Sequence, residues 1–508
     1  MSTKDFTANV ISATKVVPDG NFKDSKASGI WDINEALDLI KGGNWPNAAN
    51  VNPAAFVDGL FSIHLNSNGS SNQVITNDID LTKGGLVWGK SRNLTEHFFL
   101  LDSARGKGSN NNFKVLRSGS TAVEQDLSNR SVSSFNSNGF TFQGADDQFN
   151  SSGNEYVYWT FRKQPKFFDV LTYTGTGSAQ AISHNLGSVP GMIIVKLTTG
   201  VDAWHVYHRG LNGGSSPEDY YLQLSSNDGE IDNATIWNDT APTDSVFTVG
   251  TNGGVGADGE TYVAYLFAHN NDDGGFGEPG DQDIIKCGSY TGNGNATGTV
   301  VNLGFEPQWL LVKRADSADA WHIVDNMRGF TADGVIASNL RPNNTDAEGS
   351  ATRVKPTSTG FQLVTTDNEF NANNGTYIYM AIRRGGMQTP SAASDVFAID
   401  TQSQSSAPYA ISNFPVDMAL RKDTDGSSTD VHARLTQGRG MFASSTAAEG
   451  DDNIAQFDYQ NGYMDNTSQD STKFAWMWKR ARGYFDVSTY IGDGATNHNV
   501  SHNLGVSP

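Results

Sequence analysis

Large apolar residues alternate with other residues, with a period near two, at four places along the chain. The four segments read EYVYWTFRK, TYVAYLFAH, TYIYMAIRR and KFAWMWKR, at 155–163, 261–269, 376–384 and 473–480. Successive side chains of a β-strand point to opposite faces, so residues that are two positions apart lie on the same face. Each segment is therefore predicted to be a strand with one face on a core, and its aromatic residues are expected to be core residues: Trp159, Tyr265, Tyr379 and Trp478.

Each of these strands closes a longer repeat. An opening strand and a Gly/Asn turn come first, followed by an apolar strand that ends in lysine at Lys90, Lys196, Lys313 and Lys422. Phe61 precedes Lys90 by 29 positions and Phe168 precedes Lys196 by 28, a regularity that chance does not explain. An Arg-Gly pair follows in every copy, beginning at Arg105, Arg209, Arg328 and Arg439. Trp204 and Trp321 stand in matched AWH contexts before two of these pairs.

A period of roughly 110 residues is too long for solenoid repeats of about 20–50 residues and fits a β-sandwich of about eight short strands. We therefore predict an all-β fold of tandem, jelly-roll-like β-sandwich domains in series, like beads, each closing around its own interior. The predicted units are repeat 1 (56–164), repeat 2 (165–270), repeat 3 (284–385) and a divergent repeat 4 (391–482). Gly-rich connectors lie at 269–283 and 383–394.

The last segment, 483–508, closely matches the opening of repeat 2 and is predicted to start a fifth, truncated repeat. One hypothesis is that the native chain continues, because an isolated hairpin would leave Tyr484, Phe485 and Tyr490 without a core. The other is that the segment completes the preceding domain.

The first 55 residues differ from the repeats and contain one convincing helix, near 32–41. Asp32 is a suitable N-cap with Glu35 three positions later, and Gly42-Gly43 ends the helix. With Trp31 and Trp45 at its ends, 1–55 is a candidate virion-anchoring or oligomerisation segment. An equally good hypothesis folds it onto the first sandwich. The N-terminus has no apolar run of signal-peptide type, and no segment has transmembrane length.

The composition shows many turn residues and an excess of negative charge, and the charge bears on which partners the protein can bind. The 54 glycines indicate many turns. The 35 Lys and Arg against 55 Asp and Glu give a net charge of −20, which repels a phosphate backbone, so nucleic-acid binding is not expected. The negative charge is interpreted as keeping a large extracellular assembly soluble.

The motifs resemble a known group of proteins. FDVLTYTGTGS, SHNLGSVPGMIIVK, AWHVYHRG and TYVAYLFA resemble the repeated β-domain of marine bacteriophage tail-fibre-like virion proteins, and IIKCGSYTGNGN with WHIVDNMRGF resembles its companion repeat. ASGIWDINEAL and GGNWP are similar to a motif of such tail proteins. The resemblance is strongest at 166–384 and weaker at 391–482. It implies a structural role in fibres or tail appendages, assembly as a homotrimer, and no catalytic residues.

The sequence contains only weak candidates for metal-binding, catalytic or ligand-binding residues. His184, His205, His208 and Asp202 suggest a metal site, but the set changes in repeat 3, which favours structural histidines. The acidic connector at 272–281 lacks the ligand spacing of a calcium loop. The single cysteine, Cys287, lies in a strand-like run and is expected to be buried and inert. The repeated arginines either line a ligand surface or pair with nearby Asp, and the second interpretation is favoured. Exposed loops such as 211–221 are better contact candidates.

The leading hypothesis is a non-enzymatic tail-fibre or appendage subunit that mediates host attachment by multivalent binding. Its partners are expected to be itself, other phage tail proteins and a host cell-surface glycan or protein, with no membrane insertion, no metal and no cofactor. It is expected to be made in the host cytoplasm and to reside in the virion tail. Two alternatives stay open: a capsid-decorating or other virion structural protein without a receptor role, and a tailspike polysaccharide depolymerase with two catalytic carboxylates.

Overall fold

The computed structural model describes residues 56–508 apart from 278–279, 333–337, 386, 425–428, 438, 452–454, 466–467, 491–493, 495–496 and 498. The predicted N-terminal helix and the candidate anchor residues Trp31 and Trp45 lie outside the described residues. The described residues are mainly short antiparallel strands with a few single-turn helices, which confirms the predicted all-β class. None of the described helices has the length and apolar character to cross a bilayer.

Repeat 1 forms a main sheet of four strands and a smaller cover sheet. Its strands are β1 (Phe61–Asn68), β2 (Val74–Thr76), β3 (Gly85–Ser91), β4 (Phe99–Asp102), β5 (Val132–Asn136), β6 (Gly139–Phe142) and β7 (Ser152–Arg162). The main sheet has the order β1-β7-β3-β4 and the cover sheet β2-β6-β5. The rings of Phe140 and Tyr158 meet edge to face between the two sheets, 5.6 Å apart. The unit is therefore a β-sandwich.

Repeat 2 has the same plan with two added edge strands. Its strands are β8 (Phe168–Thr174), β9 (Gln180–Ser183), β10 (Pro190–Leu197), β11 (Trp204–His208), β12 (Tyr220–Gln223), β13 (Ile231–Asp232), β14 (Val246–Val249) and β15 (Thr261–Ala268). The main sheet has the order β13-β12-β11-β10-β15-β8, and β14-β9 is the cover sheet. The one-turn helices α1 (Ala234–Trp237) and α2 (Gly253–Gly256) begin at the side-chain caps of Asn233 and Asn252.

Repeat 3 contains the next nine strands and one helical turn, α3 (Asn368–Asn371). The strands are β16 (Ile285–Thr291), β17 (Val300–Asn302), β18 (Pro307–Arg314), β19 (Trp321–Asp325), β20 (Ser338–Asn339), β21 (Gly349–Ser350), β22 (Val354–Thr357), β23 (Gly360–Leu363) and β24 (Thr376–Arg383). The main sheet has the order β16-β24-β18-β19, the cover sheet is β17-β23-β22, and β20 pairs with β21.

Repeat 4 supplies the last main sheet. Its strands are β25 (Phe397–Gln402), β26 (Ala410–Ile411), β27 (Met418–Asp423), β28 (Thr429–Ala433), β29 (Arg439–Phe442), β30 (Gly450–Asp451), β31 (Gly462–Tyr463) and β32 (Asp470–Trp478). The main sheet has the order β25-β32-β27-β28-β29-β30, and β26-β31 is its cover sheet.

The four main sheets share one strand order and one register. In each, the opening strand pairs with the closing strand, which pairs with the strand that carries the repeated lysine. The lysines lie opposite equivalent positions of the closing strands: Lys90 opposite Val157, Lys196 opposite Val263, Lys313 opposite Ile378 and Lys422 opposite Phe474. The sequence repeat is therefore a repeat of topology.

The first three main sheets share one hydrophobic core, so the expectation that each sandwich closes only around its own interior is not met there. A single cluster of buried residues includes Trp88 of repeat 1, Ile194 of repeat 2 and Leu311 of repeat 3. The reason lies in the lysine strands, since β3 and β10 are buried at every position. A strand that is apolar on both faces needs a layer on each side. We call the face toward the shared core the inner face.

The three sheets close into a ring through three equivalent backbone hydrogen bonds. The amide of Glu124 in repeat 1 donates to Thr198 O of repeat 2, at 3.1 Å. The amide of Glu230 in repeat 2 donates to Ala315 O of repeat 3, and that of Glu348 in repeat 3 donates to Arg92 O of repeat 1, both at 2.6 Å. Each acceptor stands two residues after the repeated lysine. The chain therefore contains an internal pseudo-threefold arrangement.

Aromatic side chains from the three repeats pack against one another inside the closed ring of sheets. Phe161 of repeat 1 contacts Phe267 of repeat 2 at 5.5 Å and Trp309 of repeat 3 at 6.0 Å between ring centroids. Both pairs are edge to face, the geometry that the ring quadrupoles favour.

The repeated lysine is buried on the inner face in repeats 1 to 3. Lys90 Nζ donates to the carbonyls of Ser91 and Leu94, at 2.6 and 2.7 Å. Lys196 Nζ bonds to Leu197 O at 2.7 Å and, across the repeat boundary, to Thr121 O at 3.3 Å. Burial lowers the pKa of Lys90, Lys196 and Lys313 to about 8 in each case.

Candidate contact groove in repeat 2

The Arg-Gly pairs of repeats 1 and 3 form equivalent buried ion-pair networks. Arg328 is fully buried; its Nε donates to Asp325 Oδ2 at 2.8 Å and its Nη1 to Glu348 Oε2 at 2.8 Å. In repeat 1, Arg105 Nε donates to Asp102 Oδ2 at 2.6 Å and its Nη1 to Glu124 Oε2 at 3.1 Å. In each network the arginine follows its aspartate by three residues.

Each of these networks also receives a hydrogen bond from a neighbouring repeat. Trp159 Nε1 of repeat 1 donates to Asp325 Oδ2 at 2.9 Å. Tyr265 OH of repeat 2 donates to Asp102 Oδ2 at 2.8 Å. Burial alone would lower the pKa of Arg328, but attraction to Asp325 and Glu348 raises it above its usual value. Arg105 and Arg328 are therefore structural residues of the ring and cannot contact a ligand.

Repeat 2 departs from this pattern at the same place. The strand register puts His208 where repeats 1 and 3 have aspartate. Its Nε2 lies 3.0 Å from Tyr379 O of repeat 3, and burial lowers the pKa of His208 to about 3. A neutral imidazole needs no buried counter-charge. Arg209, one residue further on, is exposed.

The predicted equivalence of the four arginines is therefore wrong for Arg209 and Arg439. Arg439 begins β29 and lies opposite Asp451 in the adjoining strand. The residue that follows the equivalent strand end in repeat 4 is Arg434, which is buried and lies over the ring of Phe457 at 5.8 Å. The Arg-Gly dipeptide alone carried the prediction, whereas the network also needs an aspartate three residues earlier.

Arg209 lines a surface groove of about 750 Å³ in repeat 2. The groove lies between the end of β11, the turn before β10, the loop after Arg209, and the connector toward repeat 3. Its lining contains apolar side chains and charged side chains of both signs, including Lys166, Val189, Pro217, Glu218, Pro242, Asp244 and Asp273. The sequence-predicted contact loop 211–221 forms one wall.

The walls of the groove are fixed by hydrogen bonds. Glu230 Oε2 accepts the backbone amide of Asn212 at 2.7 Å. Glu230 is the counterpart of Glu124 and Glu348, so in repeat 2 this carboxylate holds the loop in place of an arginine. Lys166 Nζ donates to Asp273 O at 2.6 Å, which ties the opposite wall to the connector. Walls that are already fixed reduce the conformational entropy that is lost when a ligand binds.

The matched tryptophans lie at the boundaries between repeats. Trp204 Nε1 of repeat 2 donates to Arg117 O and Ser120 O of repeat 1, at 3.1 and 3.0 Å. Trp321 Nε1 of repeat 3 donates to Gln223 O of repeat 2 at 3.0 Å. Both rings are buried, so they join the sheets and do not form a contact surface.

The histidines that suggested a metal site are separated. His205 and His208 point to opposite faces of β11, because they are three residues apart in one strand. His205 lies 3.4 Å from Asp202 Oδ1, whereas His184 Nε2 lies 3.3 Å from Thr243 O. Among the residues that the structure describes, no three His, Cys, Asp or Glu side chains are grouped to hold a metal ion.

A family model described as "Domain of unknown function (DUF7483)" matches residues 60–384. The chain belongs to the DUF7483 family. The matched DUF7483 region begins at the start of β1 and ends just after β24, so it coincides with the closed ring of repeats 1 to 3. The groove at Arg209 lies inside this region, and repeat 4 lies outside it.

The other comparisons add little to the DUF7483 assignment. No curated protein matches the chain. A solved chain described as "Crystal Structure of the STIV MCP" has 11% sequence identity and a TM-score of 0.15, over 42% of this chain and 95% of that chain. We draw no argument about fold or function from this match.

Proposed function

We propose that this DUF7483 protein is a structural and adhesive subunit of a virion appendage that attaches the particle to a host cell. The resemblance of its motifs to tail-fibre-like proteins supports the appendage role. In this proposal the protein is not an enzyme, uses no cofactor and resides in the virion tail after synthesis in the host cytoplasm. Its partners are other tail proteins and a host-surface glycan.

The exposed guanidinium of Arg209 carries the adhesive part of the proposal. Arg105 and Arg328 lie within buried networks, whereas Arg209 lines an open groove with fixed walls. A guanidinium binds a carboxylate with two parallel hydrogen bonds. The apolar edges of Val189, Pro217 and Pro242 add surface for the faces of sugar rings. The groove therefore suits a carboxylate-bearing saccharide.

Weak single sites are sufficient if several act together. A shallow groove with one guanidinium is expected to bind a saccharide weakly, since most of the ligand stays in contact with water. Several grooves on one particle raise the effective concentration of the second and later contacts, which increases avidity by about 10²–10⁴. In this proposal, the particle is therefore attached by many weak contacts acting together.

The proposal is tested by binding the full chain to an array of immobilised neutral and carboxylate-bearing saccharides. We expect binding to acidic saccharides that is lost in Arg209→Ala and kept in Arg130→Ala. Arg130 is a matched control, because its side chain is 59% exposed on repeat 1 and removal changes the net charge equally. If the chain binds no saccharide, or if Arg209→Ala and Arg130→Ala bind alike, the groove is not the contact site.

A further inference from the structure

The position that Arg209 occupies in repeat 2 lines a groove or a cavity in every repeat. In each main sheet this residue directly follows the strand end that pairs with the fourth position before the repeated lysine: Ser103, Arg209, Asn326 and Arg434. Ser103 and Arg209 line surface grooves of repeats 1 and 2. Asn326 and Arg434 line one shared cavity of about 450 Å³, which lies between repeats 1, 3 and 4. Two equivalent positions from different repeats therefore contribute to one site.

The guanidinium of Arg434 is buried in the wall of this cavity with its terminal nitrogens unpaired. Arg434 is 2% exposed, and its Nε donates to Val416 O at 3.1 Å. Nη1 and Nη2 have no hydrogen-bond partner among the residues that the structure describes. The carboxylate of Asp417 lies 3.8 Å from Nε, but it is already paired with Arg384 at 2.8 Å. Because buried polar groups are normally hydrogen-bonded, the two nitrogens are suited to an acceptor from a ligand.

The balance of charge distinguishes Arg434 from Arg384, which lines the same cavity. Burial opposes the positive charge of both side chains. For Arg384, attraction to Glu306 and Asp417 outweighs burial and raises the pKa above its usual value. For Arg434, burial outweighs the attraction to Asp417 and lowers the pKa. The protein therefore supplies Arg384 with a full counter-charge and leaves Arg434 without one.

Two buried oxygen atoms of the cavity wall complement this guanidinium. One is Oδ1 of Asn326 in repeat 3, a residue that is 9% exposed, and the other is Oδ1 of Asp58 in repeat 1. Neither oxygen has a hydrogen-bond partner within the described part of the chain. The second oxygen of Asp58, Oδ2, accepts the amide of Gln388 at 3.2 Å. The cavity thus presents two cationic donors from repeat 4 and one acceptor from each of repeats 1 and 3.

We propose that this cavity binds a small polyhydroxylated carboxylic acid, such as a hexuronic acid, between the ring and repeat 4. The carboxylate of the ligand accepts the two parallel hydrogen bonds that the Arg434 guanidinium offers. Its hydroxyl groups donate to Asn326 and Asp58. Phe61 and Phe414 add apolar surface from the two sides of the cavity. A neutral sugar leaves the guanidinium without an anion, and a simple carboxylate leaves the two oxygens without a donor.

This site is separate from the groove of the proposed function and uses none of its residues. Because the cavity lies between three repeats, it is suited to a free small acid, whereas the tethered saccharides of an array are presented to the open Arg209 groove. The bound acid connects repeat 4 to the ring, since its partners come from repeats 1, 3 and 4.

Isothermal titration calorimetry of the full chain with glucuronate tests the site. The titrations use Arg209→Ala, so that the groove of repeat 2 does not contribute. They are made at about pH 7.5, where Asp58 is ionised, because burial raises its pKa only to about 6. We expect glucuronate to bind at a single site, and glucose and acetate to bind about tenfold more weakly or less, since each lacks part of the required hydrogen-bonding groups.

Two further substitutions in this background locate the ligand. Arg434→Met and Asn326→Ala are each expected to weaken glucuronate binding by about tenfold or more, because each removes one side of the site. Lys422→Met is the matched control, since it removes one positive charge from repeat 4 outside the cavity and is expected to keep the affinity. Thermal unfolding verifies that the variants fold. Asn326 lies in repeat 3, so its variant tests the site even if Arg434→Met disturbs repeat 4.

Absence of glucuronate binding overturns the proposal. So does equal binding of glucose or acetate, or an unchanged affinity in a folded Arg434→Met or Asn326→Ala variant. This result is independent of the adhesive proposal, because the groove is tested by comparing Arg209→Ala with the unsubstituted chain, whereas the cavity is tested in a chain that already lacks Arg209.

Discussion

Removal of the Arg328 guanidinium tests whether the buried arginines stabilise the fold in a way that the exposed Arg209 does not. Arg328→Met removes the guanidinium whose nitrogen atoms lie 2.8 Å from Asp325 Oδ2 and from Glu348 Oε2. Glu348 keeps its ion pair with Arg92 at 2.7 Å, whereas the fully buried Asp325 loses the arginine that neutralises it. It also removes the cation that lies 5.4 Å from the centre of the Trp159 ring in repeat 1. Loss of one partner of a buried ion pair costs about 3–5 kcal/mol. Arg209→Met, at the exposed arginine of repeat 2, is expected to change the free energy of unfolding by less than about 0.5 kcal/mol.

The measurement is the midpoint of thermal unfolding. At the average unfolding entropy of about 2.1 cal/mol/K per residue, a ring of roughly 330 residues has an entropy of about 0.7 kcal/mol/K. A loss of 3–5 kcal/mol therefore lowers the midpoint by about 4–7 °C for Arg328→Met and by less than about 1 °C for Arg209→Met. Equal shifts in the two variants would refute the assignment of different roles to the two arginines.

Two further predictions concern the inner faces. The folded-state pKa of Lys196 is about 8, below the unfolded value of ~10.4, so the cost of burying its ammonium is full below pH 8 and disappears toward pH 10. In urea titrations the free energy of unfolding of the wild type should rise by about 2 kcal/mol relative to that of Lys196→Met between about pH 7 and pH 9.5. A difference between the two proteins that does not change with pH would contradict the lowered pKa. Cys287 is fully buried with a raised pKa, so it should resist an aromatic disulfide reagent in the native protein and react fully in guanidinium; rapid native labelling would show that the inner face opens.

The register of the fold could be predicted from the sequence, but the ring could not. The constant spacing between opening strand and lysine fixed which strands correspond, and the structure places Lys90, Lys196, Lys313 and Lys422 at one register position. Period-two alternation predicts that a strand has one buried face. It does not predict whether another layer covers the opposite face. The unbroken apolar runs of the lysine strands were the available signal, since a strand apolar on both faces requires two layers.

The candidate site was only partly visible in the sequence. The loop 211–221 was a contact candidate because loops on rigid scaffolds carry binding residues, and it forms a wall of the groove. The special place of Arg209 was missed because the Arg-Gly pair looked equivalent in all copies. The aspartate three residues before Arg105 and Arg328, absent before Arg209, was the signal that could have revealed it.

The exchange of aspartate for His208 connects the ring to the proposed groove. A buried carboxylate must be paired, so Asp102 and Asp325 each hold an arginine inside the ring. His208 is kept neutral by burial, its Nδ1 accepts the amide of Gly210, and its Nε2 bonds to the carbonyl of Tyr379 in repeat 3. Three residues after His208, where repeats 1 and 3 have their buried arginines, repeat 2 has the fully buried Leu211. Because repeat 2 has no buried carboxylate at this place, it needs no buried arginine there, and its exposed Arg209 lines the groove that we propose as the contact site.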